Sequence, residues 1–169
     1  MKAEILTNID GLMQRACADP ALEMSMLKSY AELEYLAAEH IRNNITRNTP
    51  DEDLQDIYQH AKEEDGHGDT LSKISDKNMS SNPVYKEIEN RFKEIISSFI
   101  NGYFGNDLLV SLKDRHASYV HGALTIEKLP FLIYSSYLKL TKDSDAQKVI
   151  PQVIEDERDH LHLGGHLRK

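Results

Sequence analysis

The sequence predicts an all-α fold, in which four bundle helices are joined by a long connection between the second and third that contains a helix of its own, after a short N-terminal helix. Three observations favour this fold. Apolar residues recur at three- and four-residue steps over long segments. Few segments show the alternation of strands. Pro (5) and Gly (8) are sparse among 169 residues. At this length we expect a single domain over residues 1–169.

The helices are separated by short polar breaks. A leading helix is expected over residues 2–17, ending near Asp19-Pro20. The four bundle helices are expected over residues 21–47, 51–76, 107–140 and 145–166, and the connecting helix over 84–101. Pro50 stands before an acidic first turn, which is typical of a helix start. Pro130 lies inside the third bundle helix and should kink it.

The most informative feature is a pair of matched sets of Glu and His. In each set a Glu precedes a Glu-x-x-His motif by 30 residues. The first set is Glu34, Glu64 and His67, and the second is Glu127, Glu157 and His160. Thirty residues are about eight helical turns, half along one helix and half back along its neighbour, so both Glu of a set reach the same height. Within Glu-x-x-His, the two residues share one helix face.

All four Glu lie in apolar stripes near the middle of their expected helices, as Glu34 does between Tyr30 and Ile41. A buried carboxylate loses its hydration, and four converging carboxylates repel one another unless cations neutralise them. Two divalent metal ions would supply the positive charge, and the two imidazoles would supply nitrogen ligands. The sequence therefore predicts a dinuclear metal centre whose six ligands are also the candidate catalytic residues.

Each Glu-x-x-His motif is directly preceded by another acid, Glu63 or Asp156. We expect each of these acids to accept a hydrogen bond from the non-ligating nitrogen of the His in the opposite set, which would fix the orientation of that imidazole.

Four further side chains lie on or beside the same stripes. His60 and His116 are interpreted as core histidines with satisfied hydrogen bonds, a role in the metal site being the alternative. Tyr30 and Tyr134 are interpreted as packing residues, with a redox role as the alternative.

The two sets resemble the ligands of the ferritin-like di-iron carboxylate superfamily, in motif and spacing, over residues 21–166 outside the added helix. The resemblance implies a ferritin-like four-helix bundle, in which the long connection crosses the bundle so that the second and third helices lie parallel. It also implies two bound iron ions, with manganese as the alternative, and activation of O2. Glu64 and Glu157 would bridge the ions. The segment from Glu157 to Gly164 is similar to the last helix of aldehyde-deformylating oxygenases.

Three functions stay open at this point. The leading hypothesis is an oxidoreductase or oxygenase that acts on a small or fatty organic substrate with O2 or peroxide and an external electron donor, as a monomer or homodimer. The second is iron handling or peroxide detoxification of the ferroxidase or rubrerythrin type. The third is a metal-free helical interaction protein. A haem-oxygenase-like di-iron fold is less favoured, because Val153 stands where its additional His would fall.

Charge and cysteine content exclude other classes. The formal net charge of −8 argues against a nucleic-acid partner and against docking on anionic lipid. The single cysteine, Cys17, forms no internal disulfide and no Cys-x-x-Cys metal site. With no signal peptide and no long apolar run, we expect a cytoplasmic protein that does not enter the membrane.

Overall fold

The computed structural model describes residues 2–45, 49–77, 83–104 and 127–166. Within these ranges the chain forms six helices and no strand, which confirms the all-α prediction. The helices are α1 (Lys2–Cys17), α2 (Pro20–Asn44), α3 (Asp51–Lys77), α4 (Pro83–Phe104), α5 (Lys128–Leu140) and α6 (Ser144–His166). Apart from α5, the observed ends lie within about three residues of those expected, as the uncertainty of helix ends allows. No helix among the described residues combines the length and apolarity needed to cross a membrane.

Aspartate caps begin two of the helices that form the site. The Asp19 carboxylate accepts hydrogen bonds from the backbone N–H groups of Ala21 and Leu22, at 2.9 and 3.4 Å. The Asp143 carboxylate does the same for Asp145 and Ala146, at 2.9 and 2.8 Å. These bonds satisfy N–H groups that have no partner within the helix, and so they fix where α2 and α6 start.

Helices α2 and α3 pack against each other in antiparallel orientation. Lys28, early in α2, pairs with Asp76 at the end of α3 at 2.8 Å. Arg42, late in α2, pairs with Asp65 further back in α3. Because the α3 partner moves backward as the α2 residue moves forward, the two helices run in opposite directions.

Helices α3 and α6 are also antiparallel, since Lys77 pairs with Asp145 at 2.6 Å and Glu63 with His160 at 2.9 Å. The short connection 141–143 makes α5 antiparallel to α6, against which it packs. Helix α5 therefore runs in the same direction as α3, as expected for the third and second bundle helices. The path between α4 and α5 lies outside the described residues, so the complete ferritin-like topology stays a prediction.

The third bundle helix differs from the expectation. A continuous helix over residues 107–140 would place Glu127 near its middle, but Glu127 occupies the turn just before α5, whose first residue is Lys128. Residues 107–126 lie outside the described ranges. Pro130 falls in the first turn of α5. Backbone N–H groups in a first turn make no hydrogen bond within the helix, so a proline there costs none. Its place in α5 is therefore that of a proline in a first helical turn, and the kink expected between Ile126 and Pro130 involves residues outside the described ranges.

The buried acids lie between two apolar clusters. The larger one joins α1, α2, α3, α5 and α6 and includes Leu27, Leu71, Tyr134, Tyr137 and Ile150. The smaller one consists of Ile41, Ile57 and Ala61, with Ile45 packed against it. Glu34 on α2 and Glu64 on α3 each lie between residues of these two clusters, so apolar side chains shield these two acids at both ends.

Candidate metal centre

Seven buried side chains meet in two adjacent groups, each of which could hold a metal ion. The Glu34 cluster contains Glu34, Glu64, His67 and Glu157, and the His60 cluster contains His60, Glu64, Glu127 and His160. Within each cluster, one oxygen or nitrogen atom of every residue lies within 4.8 Å of the others. None of the seven residues is more than 8% exposed. The structure thus brings together all six residues predicted from the sequence and adds His60.

Helix α3 supplies three of these residues. His60, Glu64 and His67 follow at steps of four and three residues, which aligns them on one face of the helix. Glu34 faces them from α2, and Glu157 with His160 faces them from α6, while Glu127 lies at the entry to α5.

Glu64 and Glu157 each present one carboxylate oxygen to either cluster. Glu64 Oε1 lies 3.0 Å from both His60 Nε2 and His160 Nδ1, whereas its Oε2 lies 3.5 Å from His67 Nδ1. Glu157 Oε1 lies 3.4 Å from His67 Nδ1, and its Oε2 lies 3.8 Å from His160 Nδ1. Such an arrangement is the one that bridging carboxylates between two ions need.

The two acids that precede the motifs contact the opposite histidines, as predicted. His67 Nε2 lies 3.1 Å from Asp156 Oδ2, and His160 Nε2 lies 2.9 Å from Glu63 Oε2. A carboxylate only accepts hydrogen bonds, so each Nε2 is the protonated donor. Because the proton is held on the outer nitrogen, Nδ1 of a neutral ring presents its lone pair to the centre.

Several inward-facing atoms have no hydrogen-bond partner despite complete burial. They are His67 Nδ1, His160 Nδ1 and both carboxylate oxygens of Glu157. Buried polar atoms in proteins are nearly always paired, and leaving one unpaired costs about 1–3 kcal/mol. All four are atom types that bind divalent metals, and all four face the same small volume. The donors present therefore fit a pair of metal ions.

Individual acids of the centre have pKa values shifted in opposite directions. Burial, and then the negative charges of Glu64 and Glu157, raise the pKa values of Glu34 and Glu127 well above the usual range. Burial also opposes ionisation of Glu64, but the three adjacent histidines of the clusters hold its pKa well below the usual range. Without metal, the centre therefore keeps some of its carboxyl groups protonated.

The histidines respond to the same charges. Burial alone would lower their pKa values, but the adjacent carboxylates of Glu157 and Glu64 raise the pKa of His67 to about 11 and that of His160 to about 12. His60 differs, because burial lowers its pKa and favours the neutral ring. In the metal-free centre, bound protons thus offset the negative charge of the buried acids. Metal ions would displace these protons on binding.

Tyr134 contacts the site from the larger apolar cluster. Its buried hydroxyl donates a hydrogen bond to Glu34. Burial and the charge of Glu34 raise its pKa well above the usual range, so the hydroxyl keeps its proton. The ring of Tyr30 packs edge-on against it, with centroids 6.0 Å apart. Tyr134 is therefore a hydrogen-bonding neighbour of a candidate ligand in addition to a packing residue.

Two surface clefts reach the centre from the side formed by α3 and α6. One, of about 420 Å³, lies over His60 and His160 and is bordered by Glu63 and Asp159. The other, of about 480 Å³, lies over His67. Polar and charged side chains form much of both linings. The three candidate-ligand histidines therefore lie directly beneath these clefts, almost completely buried.

His60 is a buried histidine in contact with Glu64, as interpreted from the sequence, and it also lies among the candidate ligands, the alternative that the sequence left open. Its ring lies inside a cluster of candidate ligands, 1% exposed. The signal was present in the sequence, since His60, Glu64 and His67 share one helix face, but the search for Glu-x-x-His alone does not reach a His four residues before the Glu. His116, the other candidate, lies outside the described residues.

Comparisons with known protein families, with curated proteins and with solved structures find no match to this chain. The likeness to the ferritin-like superfamily therefore rests on ligand types, their spacing and the geometry of the two clusters.

Proposed function

We propose that this protein binds two transition-metal ions, iron or manganese, in the paired clusters and uses them for oxidation with O2 or peroxide. The observation that supports this most directly is the group of buried, unpaired atoms of His67, His160 and Glu157 that face one volume. Divalent metal ions would bind all four of these atoms at once, which is what supports the proposal.

The donor set favours iron or manganese over a structural zinc ion. Structural zinc sites are closed, with four protein ligands in a tetrahedron, most often cysteine and histidine. Here four carboxylates and three imidazoles surround two positions. Mixed carboxylate and imidazole ligands suit iron and manganese, whose larger coordination numbers leave room for an external molecule.

The chain's own residues hold and shield the centre. Bound iron or manganese would supply the electrons that reduce O2 or peroxide. Asp156 and Glu63 orient the imidazoles of His67 and His160 through hydrogen bonds of 3.1 and 2.9 Å. Tyr134 orients Glu34, and the apolar clusters keep water from the ends of the site.

Iron oxidation is the second candidate function, and the cleft over His60 favours it. Asp56, Glu63 and Asp159 lie along this cleft, and such acidic side chains attract cations. Small cations would therefore be drawn to this cleft. The organic substrate, the external electron donor and a homodimer remain predictions.

Anaerobic titration with Fe2+, followed by O2, tests the proposal. We expect two ions per chain, seen by Mössbauer spectroscopy as ferrous before O2 and ferric after it. Glu157→Gln should lose at least one ion, since it removes a carboxylate that faces both clusters. Glu155→Gln, an exposed acid on the same helix, serves as the matched control and should bind both ions.

The same titration separates the two functions. Oxidation that stops at two ions per chain favours an oxidoreductase that needs an external reductant. Continued oxidation of added Fe2+ favours iron handling. Absence of metal binding in the wild-type protein, or Glu157→Gln binding two ions as tightly as wild type, would contradict the dinuclear site and favour an interaction protein.

A further inference from the structure

His60 directs a ring nitrogen into the centre although it belongs to neither of the two matched sets. Its Nε2 lies 3.0 Å from Glu64 Oε1 and 3.6 Å from Glu127 Oε1. Its ring stacks against that of His160, with centroids 3.9 Å apart and planes inclined by 34°. The ring therefore needs no rotation to bring Nε2 to the position shared by Glu64, Glu127 and His160.

The two half-sites are otherwise matched, and His60 is where they differ. It precedes Glu64 by one helical turn on α3. The corresponding residue, one turn before Glu157 on α6, is Val153, a buried side chain with no ligand atom. The Glu34 cluster therefore has one imidazole and three carboxylates, whereas the His60 cluster has two imidazoles and two carboxylates.

We propose that His60 is a seventh metal ligand, bound through Nε2, and that it makes the two metal positions select different ions. This inference rests on the proposed dinuclear site. Carboxylate oxygens suit Mn2+, and imidazole nitrogen favours metals later in the first-row series, including Fe2+. When both metals are supplied, Fe2+ occupies the His60 cluster and Mn2+ occupies the Glu34 cluster.

The test supplies one equivalent each of Mn2+ and Fe2+ without O2 and locates each metal by anomalous diffraction at its absorption edge. In the wild-type protein we expect several-fold enrichment of iron in the His60 cluster and of manganese in the Glu34 cluster. The metal in the His60 cluster should lie within bonding distance of His60 Nε2, about 2.1 Å for an imidazole on a divalent ion of similar size.

Two variants remove the nitrogen in different ways. His60→Gln shortens the side chain, and His60→Phe keeps a ring that can stack on His160. In either, one of the two ions should bind about tenfold more weakly or worse, because loss even of a residue that only supports a ligand has effects of that size. The other ion should bind as before, and the preference between metals should fall. His162→Gln, which changes an exposed histidine of the same cleft, is the matched control.

The outcomes separate this inference from the proposed function. Two ions bound with wild-type affinity and distribution in both His60 variants would overturn the inference and leave the dinuclear site standing. So would a loaded wild-type structure in which His60 Nε2 stays on Glu64, beyond reach of the metal. This second outcome is measured on the wild-type protein, so it does not depend on whether a variant folds. A wild-type protein that binds no metal would overturn the dinuclear site together with this inference.

Discussion

Two buried tyrosines of α5 make the same kind of hydrogen bond to two different glutamates of α2. Tyr134 donates to Glu34, and Tyr137 donates to Glu23 at 2.8 Å. Only Glu34 belongs to the metal clusters. Comparing Tyr134 with Tyr137 therefore distinguishes the effect of a buried hydroxyl on stability from its effect on metal binding.

We expect Tyr134→Phe and Tyr137→Phe each to lower the free energy of unfolding by roughly 1 kcal/mol, because each removes one buried hydrogen bond. Only Tyr134→Phe should weaken metal binding, by about tenfold, since it frees the Glu34 carboxylate to rotate. Chemical denaturation and metal titration measure the two effects. Equal metal affinities in the two variants would show that the Tyr134 hydroxyl does not position Glu34.

The two outer carboxylates, Glu63 and Asp156, should each support the histidine of the opposite motif. Glu63→Gln replaces the charged acceptor of His160 with a neutral amide, so it should weaken the ion in the His60 cluster. Asp156→Asn does the same to the acceptor of His67 and should weaken the ion in the Glu34 cluster. Losses of about 10- to 100-fold in affinity are typical of such partners. Titration with Mn2+, followed by electron paramagnetic resonance, measures each step.

Asp159→Asn is the control, because Asp159 borders the same cleft as Glu63, lies on α6 like Asp156, and belongs to neither cluster. If Asp159→Asn weakens metal binding as much as the other two changes, the effect comes from general charge in the cleft. The orienting role of Glu63 and Asp156 would then be wrong.

At the scale of a helix, two glycines of α3 stand beside His67 in opposite surroundings. A Cβ added at Gly66 would meet nothing within 4 Å, whereas one added at Gly68 would lie 2.6 Å from Tyr35 Cε1. Tyr35 also donates a hydrogen bond to Asp69 at 2.8 Å. Gly68 therefore permits the close approach of α2 and α3, while Gly66 only weakens the helix.

We expect Gly66→Ala to raise the free energy of unfolding by up to about 1 kcal/mol, because alanine favours the helix and restricts the unfolded chain. Gly68→Ala should lower it by roughly 1–3 kcal/mol, because the Tyr35 ring must move. Thermal or chemical denaturation of both variants measures the difference. A stabilising Gly68→Ala would mean that Tyr35 moves aside at little cost and that α2 and α3 do not depend on this contact.

The helices themselves were largely predictable, because the signals that define them lie within each helical segment. Caps such as Asp19 and three- to four-residue periodicity lie within the segment they define, so α1, α2, α3, α4 and α6 match the expected ranges. The place of Glu127 before α5 was not predictable, because periodicity continues through Pro130 and does not mark where a helix begins. The sequence left two interpretations of His60 open, because its place at the centre depends on which face of α3 meets α6, a tertiary property that the Glu-x-x-His motif does not contain.

At the scale of the whole molecule, the fold encloses negative charge between two apolar clusters and so requires positive charge there. In the metal-free protein, raised pKa values at Glu34, Glu127, His67 and His160 make protons the source of that charge. In a metal-loaded protein, as proposed, the metal ions would replace these protons. The two forms should therefore respond to pH in opposite ways.

Without metal, the folded chain retains protons that the unfolded chain releases. The pKa of His67 rises from 6.5 to about 11 and that of His160 from 6.5 to about 12, while Glu64, whose pKa is lowered, is ionised in both states and contributes nothing. The stabilisation is complete below about pH 6.5 and declines as pH rises towards these raised values. Each extra retained proton changes the free energy of unfolding by about 1.4 kcal/mol per pH unit.

We therefore expect the melting temperature of the chelator-treated protein to fall steadily from pH 6.5 to pH 9. Because binding must displace the same protons, metal affinity should rise over this range, and saturating Mn2+ should stabilise the protein more at pH 9 than at pH 6.5. Differential scanning calorimetry of both forms in matched buffers measures the two slopes. A metal-free melting temperature that rises with pH would mean that these histidines are neutral in the fold, and that the enclosed acids are compensated in another way.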